Sequence, residues 1–407
     1  MGQGERIGSS NHCPLTPTLE RKLFGKTVRR EMIMAVGLSF ILTTGLLYYF
    51  LLPLPPPPAP PLPPTPPTPL QLTPHAAIFI DGDANFSNTA LLEGWPGDGS
   101  LENPYIIESL DIDLEGAGGH CIRISNTRVN FTIRNCNLTG ASWFGPERFS
   151  GAGIDLTNTT NGRLVNNTCN NNIYGIQLYE SDSSIVVYNT CTNNTFEGMW
   201  IYGLKDCTIA NNTCSNNFWG INLENIAFCT VANNTCNSNH YGINLDVEPR
   251  SNIVISNTCN NNSIGISCYD SVNYKNNTSE SDNNTVISNT CNNNTEYGMY
   301  LFYSIYYTIT NNTCNSNDIG IFLEHSHSNT MTNNICNYNR IGIRLYDSFP
   351  NVVVNNTFLG NTEHDIVGEY ITEEDETEEF DSVVLLLISP LVATLFLVGG
   401  WKKRMGG

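Results

Sequence analysis

Residues 211–236 read NNTCSNNFWGINLENIAFCTVANNTC, and this stretch decides the fold. It opens and closes on Asn-Asn-Thr-Cys. After Gly220 the run Ile221-Asn222-Leu223-Glu224 alternates strictly, so Ile221 and Leu223 share one face. The tripeptide Asn-Thr-Cys ends at Cys169, Cys191, Cys214, Cys236, Cys259, Cys291 and Cys314. Cys336 follows in Asn-Ile-Cys, and Phe358 takes the slot in Asn-Thr-Phe. The steps are 22, 23, 22, 23, 32, 23, 22 and 22 residues. The long step is one repeat plus an insertion near Tyr269–Asn283. Cys136 lies 33 residues before Cys169 and implies a similar insertion around Ala141–Ser150. Gly-Ile or Gly-Met recurs at Gly153, Gly175, Gly198, Gly220, Gly242, Gly265, Gly298, Gly320 and Gly342. A second short alternation, as in Cys207-Thr208-Ile209-Ala210, and the Asn-Thr-Cys segment supply two more strands. Three short strands and three turns per repeat define one rung of a parallel β-solenoid. The expected fold class is all-β: a right-handed parallel β-helix of about ten rungs, flanked by two transmembrane helices. A leucine-rich repeat would need a regular Leu frame, and the runs of Asn leave no room for its helical backs.

Stacking places equivalent residues in columns about 4.8 Å apart. One inward column holds Ile176, Met199, Ile221, Ile243, Ile266, Met299, Ile321 and Ile343; a second runs from Leu178 to Leu345 with Cys268 among its members. Asn tolerates left-handed turns and can stack its amides between rungs. These rungs resemble the right-handed parallel β-helix repeats of the NosD-like proteins, also grouped with carbohydrate-binding proteins and sugar hydrolases. The resemblance covers about Ile106 to Val367. It implies the fold, but that family hosts several activities.

The chain has 407 residues and a formal net charge of −19. Lys and Arg total 19 against 38 Asp and Glu, which argues against nucleic acid as a partner. Nine of the Lys and Arg sit at the two chain ends. Seven segments follow: a basic cytoplasmic segment 1–31, an apolar span 32–52 read as a signal anchor, a proline-rich stalk 53–74, an extracellular β-helix 75–372, an acidic linker 373–381, an apolar span 382–401 and a basic tail 402–407. Spans of about 20 apolar residues cross a bilayer, and flanking Lys and Arg mark the cytoplasmic side. Both termini are therefore expected inside the cell, with the β-helix outside. Cleavage of the first span is the alternative. Together with the sequon density, this layout suggests an archaeal cell surface.

Outward aromatics with interspersed acids form the candidate ligand strip: Tyr179, Trp200, Tyr202, Glu224, Asp246, Tyr269, Tyr300, Phe302, Phe322 and Tyr346. Aromatic faces suit sugar rings, and acids or amides suit their hydroxyl edges. A strand face covered by insertions would show the same pattern. No catalytic motif is recognisable, so no catalytic residue is named. The function expected is non-catalytic glycan binding or an envelope or cell-contact role. A polysaccharide lyase or glycoside hydrolase is the first alternative, and a NosD-like accessory to metal-site maturation or transport the second. Among the sequons, Asn276, Asn277 and Asn283 sit in an insertion and are the candidate glycosylation sites. The 14 Cys admit three readings: buried small hydrophobes, disulfides, or copper thiolates. Cys207 and Cys229 are the best candidate pair. Glu324-His325-Ser326-His327 holds the only close His pair, read as solvated turn residues. No cofactor and no dedicated metal site are expected. The partners expected are the membrane and a polysaccharide or surface glycan.

Overall fold

The computed structural model describes residues 71–143, 145, 150–270 and 282–370. One rung shows how the sequence bends. Thr213 bridges Thr190 and Thr235, strand Trp219–Glu224 follows, and strand Thr230–Ala232 closes the turn. Between these pieces the chain turns at Asn216, Asn225, Phe228 and Asn233, all with φ between 51° and 59°. Left-handed backbone is unfavourable for most L-residues, and Asn is among the few that adopt it readily. The Asn excess therefore begins as corner chemistry.

All strand pairs along the rungs are parallel. Among the described residues, one sheet has 12 strands, from Ile78–Asp81 to His364–Val367, and a second has 11, from Tyr105–Glu108 to Val352–Val354. The solenoid has about 11 turns, one more than expected. The additional turn lies at the N-terminal end, where no Asn-Thr-Cys marks it. Pairing begins there at Thr73 and Pro74, on Leu110 and Asp111, just before the expected boundary at residue 75.

The third sheet departs from expectation. It has four strands, the last being Thr168–Asn170, and then continues as single bridges through Thr190, Thr213, Thr235, Thr258, Thr290, Thr313, Ile335 and Thr357. Left-handed corners at Asn211 and Asn216 leave too little extended chain for a longer ladder.

Two further Asn positions per rung point inward and are buried. Asn167, Asn189, Asn212 and Asn234 form one ladder, in which each Nδ2 donates to the next Oδ1 at 3.0–3.1 Å. The same Asn189 amide also donates to the Leu164 carbonyl at 2.9 Å. Buried amides are thus satisfied by the rungs above and below, which fixes the register as well as the corner. Cys136 belongs here rather than in the thiol column: its N–H donates to Asn167 Oδ1 at 3.1 Å, and Leu138 pairs with Cys169 instead. Cys169, Cys191, Cys214, Cys236, Cys259, Cys291, Cys314 and Cys336 form an inward column of buried free thiols. Cys207 and Cys229 are joined as a disulfide across adjacent rungs, Cα–Cα 4.6 Å.

The N-terminal end of the core is covered by a helix, Asp83–Glu93, in a segment expected from sequence only as part of the β-helix 75–372. Its buried Phe86 stacks on Tyr105 at 5.0 Å and lies 5.4 Å from Phe131. A solenoid needs such a cap because its last rung otherwise exposes core side chains. Among the described residues no helix is long and apolar enough to cross a membrane. The expected spans 32–52 and 382–401, the segments 1–31, 373–381 and 402–407, and the sequons Asn276 and Asn277 lie outside the described residues.

Candidate functional site

The outward face of the long sheet carries three columns. The first runs Gln177, Trp200, Asn222, Asn244, Ser267, Tyr300, Phe322, Arg344; the second runs Tyr179, Tyr202, Glu224, Asp246, Tyr269, Phe302, Glu324, Tyr346. The third was not legible as an outward column: Glu197, Trp219, Tyr241, Ile264, Tyr297, Ile319, Ile341. Strict alternation would put Glu197 inward with Met199. Gly198 breaks that count. A Cβ there would lie 2.8 Å from Asn217 Nδ2 and 2.9 Å from Cys214 Cβ, so Gly198 itself occupies the inward slot and the residue before it is turned outward. The signal that could have exposed this column is the residue preceding each repeat glycine.

The strip divides into two platforms. In the N-terminal one Tyr179 and Tyr202 stack at 5.1 Å with planes 4° apart, and Trp200 lies 6.5 and 6.2 Å from them. The Trp200 indole N–H donates to Glu224 Oε1 at 3.2 Å, and the Asn222 amide donates to the same oxygen at 2.8 Å. Beside this cluster lie two buried polar side chains with unmet hydrogen bonding. Gln177 is 1% exposed and neither its Oε1 nor its Nε2 has a partner; Glu197 is 7% exposed and its Oε2 has none. Burial, reinforced by the Glu224 charge, pushes the Glu197 carboxyl up to about 7, against a weaker opposing hydrogen bond from Asn222. Tyr174 lies 6.4 Å from Trp200 on this face, and burial pushes its phenol up to about 12. Earlier rungs extend the polar surface: Arg123 pairs with Asp155 at 3.2 Å, and burial, reinforced by Arg123, pushes the imidazole of His120 down to about 4.

The C-terminal platform holds Tyr269 and Phe302, stacked at 5.0 Å, and Tyr300 and Phe322, stacked at 5.4 Å. Tyr300 donates its hydroxyl proton to Glu324 Oε2 at 2.7 Å. Phe322 is 6% exposed, packed among Ile319 and Ile341. It is the floor of the platform, because the third column encloses it, and not an exposed stacking face. Arg344 lies over its ring at 5.2 Å, and Tyr346 is exposed. Asp246, between the platforms, accepts from Val247 N–H at 2.6 Å.

Of the remaining sequence-derived residues, Asn283 is exposed and left-handed (φ 49°). His325 and His327 do not converge: His325 meets Asp347 at 3.0 Å, and His327 meets the Phe349 carbonyl at 3.0 Å. Among the described residues no group of three His, Cys, Asp or Glu is placed to hold a metal ion. The column thiols are sealed in the core: desolvation pushes Cys191, Cys236 and Cys291 well up, while hydrogen bonds from neighbouring thiols outweigh it and pull Cys214, Cys259 and Cys314 down, so it is the closed core rather than uniform protonation that bars a copper ion. The described residues therefore do not fit a copper centre.

No curated protein matches the chain. Among solved structures, the catalytic domain of a GH87 α-1,3-glucanase in complex with tetrasaccharides is 14% identical, with a TM-score of 0.51 over 65% of this chain; the chain spans 58% of that domain. The A-module of a mannuronan C-5 epimerase from Azotobacter vinelandii is 14% identical, with a TM-score of 0.46, over 74% of this chain and 90% of that one. The periplasmic alginate epimerase AlgG, as a variant, is 14% identical at a TM-score of 0.44, over 73% and 83%. At such identities the likeness extends to the fold alone. The family described as periplasmic copper-binding protein (NosD) matches residues 122–278 and 274–369. Those residues are the rungs from Ile122 onward, and on that match the chain belongs to the NosD family.

Proposed function

We propose that this chain is a membrane-tethered surface protein whose β-helix binds a polysaccharide lengthwise along the outward face of the long sheet. The observation that carries the reading is the set of buried atoms without a hydrogen-bond partner beside the aromatic platform: Oε1 and Nε2 of Gln177 and Oε2 of Glu197. Buried polar groups are almost always hydrogen-bonded, and an orphan amide and an orphan carboxylate oxygen on adjacent rungs of one face mark a place where a ligand can supply the partners. Sugar hydroxyls both donate and accept, and sugar C–H faces stack on Tyr179, Trp200 and Tyr202. The glucanase domain, of similar fold, was solved with tetrasaccharides. The apolar spans 32–52 and 382–401, each with basic residues on the side toward the chain terminus, support the tether and the external position of the β-helix.

Affinity electrophoresis of the detergent-solubilised chain through gels containing polysaccharide tests this. Retardation is expected, and the Trp200→Ala, Tyr202→Ala double variant should migrate as if the polymer were absent. Equal retardation of that variant, or none of the wild type in any polymer, would leave an envelope or cell-contact role as the better reading.

A further inference from the structure

Two consecutive rungs of the long sheet carry the same outward triad. Trp219-Gly220-Ile221-Asn222-Leu223-Glu224 lies in register with Tyr241-Gly242-Ile243-Asn244-Leu245-Asp246, which sets Trp219 beside Tyr241, Asn222 beside Asn244 and Glu224 beside Asp246. Each rung thus reads aromatic, amide, carboxylate across the face, an order that no other described rung of this sheet repeats. Trp219 and Tyr241 are half-buried and stack on each other at 6.0 Å with planes 14° apart. The amides are already held in place: Asn244 donates to Asn222 Oδ1 at 2.9 Å, and Asn222 donates to Glu224 Oε1 at 2.8 Å. The preceding rung carries Trp200 and the buried Glu197, whose Oε2 has no partner, so the triads continue the strip that begins at the orphan amide of Gln177.

We propose that the two triads are paired subsites for consecutive units of an uncharged polysaccharide, an inference that rests on the glycan-binding reading above. Rungs repeat at about 4.8 Å, close to the length of one sugar ring, so a repeating surface meets a repeating polymer. On each rung a sugar C–H face packs against the aromatic ring, and hydroxyls reach the amide and the carboxylate. Because the amides are fixed before a ligand arrives, little ordering is left for binding to oppose. An ionised carboxylate only accepts hydrogen bonds, so Glu224 and Asp246 call for donors on the ligand. Hydroxyls supply them, whereas a ligand carboxylate or sulfate cannot. Charge points the same way. From the Gln177 rung to the Phe322 rung the three outward columns hold Glu197, Glu224, Asp246 and Glu324 and no Lys or Arg. The arginines beyond either end are engaged, Arg123 with Asp155 at 3.2 Å and Arg344 over the Phe322 ring. A polyanion laid along this face would meet carboxylates with no cation to offset them.

The experiment runs the full chain in detergent, at low salt where charge counts most, through gels containing laminarin, glucomannan or dextran, and through gels containing alginate or polygalacturonate. Wild type should be retarded by at least one of the three neutral polymers and by neither polyuronate. Tyr241→Ala and Asn244→Ala should each weaken that retardation about five- to tenfold, the size of one lost stacking or hydrogen-bonding contact. If Tyr241→Ala fails to fold, Asn244→Ala, which trims a half-buried amide, carries the test alone. Retardation by either polyuronate overturns the substrate class and leaves the lengthwise binding reading standing. Retardation by a neutral polymer that is undiminished in either folded variant overturns the paired subsites and leaves the Tyr179, Trp200 and Tyr202 platform as the binder. No retardation by any polymer overturns both readings.

Discussion

The two platforms on the long sheet share one backbone register, yet their chemistry is opposite. On the C-terminal platform every polar tip discussed is used: Tyr300 donates to Glu324, Arg344 covers Phe322, and Ile319 and Ile341 enclose the ring. On the N-terminal platform the buried Gln177 amide and Oε2 of the buried Glu197 are left unsatisfied. A solenoid gives both places the same scaffold, so the contrast comes from side chains alone. One region is finished as folded structure, and the other keeps buried polar atoms that the fold leaves unpaired. On the proposed reading a ligand supplies those partners, and substitutions can read stability and retention separately.

The largest stability effect should come from the finished platform. Phe322→Ala removes a buried ring and should cost about 3–5 kcal/mol in denaturant unfolding, with glycan retardation unchanged. A loss below about 1 kcal/mol would mean the C-terminal face is open rather than packed. The second effect concerns pH. Burial pushes the Glu197 carboxyl up to about 7 in the folded chain, from an ordinary value of 4.5, so the unfolded chain releases this proton first. Its contribution is present in full below about 4.5 and is lost as pH rises toward about 7. The difference in unfolding free energy between wild type and Glu197→Gln should therefore change by about 3 kcal/mol across that window and be flat above it. His120, pushed down to about 4, acts in the opposite sense, and taking the difference cancels it. A difference independent of pH would remove Glu197 from its buried setting.

A smaller effect has the opposite sign. Gln177→Leu replaces an unpaired buried amide by an apolar group of similar size. It should raise unfolding stability by about 1–2 kcal/mol while weakening retardation in polysaccharide gels. Destabilisation would show that the amide has partners within the fold. The smallest effect is Tyr300→Phe, which deletes the bond to Glu324 and should cost about 1 kcal/mol, seen as a lowered melting temperature without loss of glycan retention. Loss of retention would place the ligand across both platforms.

Most of the fold was legible because the repeat is short and the core one rung wide. Spacing placed Ile221 and Leu223 inward and set them above Met199 and Ile201. It counted one turn too few because the first rungs carry no Asn-Thr-Cys, and it missed the helix that brings Phe86 onto Tyr105. Its aromatic strip lies on the outward face, but Phe322 is buried there by neighbours that no local pattern announces. Glu197 was invisible for a more specific reason: two successive residues, Gly198 and Met199, both turn inward, and a period-2 count then assigns Glu197 to the wrong side.

The sequence by itself determined the solenoid, its register and its corners. Each of these depends on residues one repeat apart, and the same few interactions, Asn amide to Asn amide and Ile on Ile, recur at every rung. Tertiary structure alone decided which outward side chains lack a partner. That property depends on which neighbours from other rungs reach a given atom. Asn222 and Trp200 satisfy Glu224, while Oε2 of Glu197, one rung away, remains buried without a hydrogen bond.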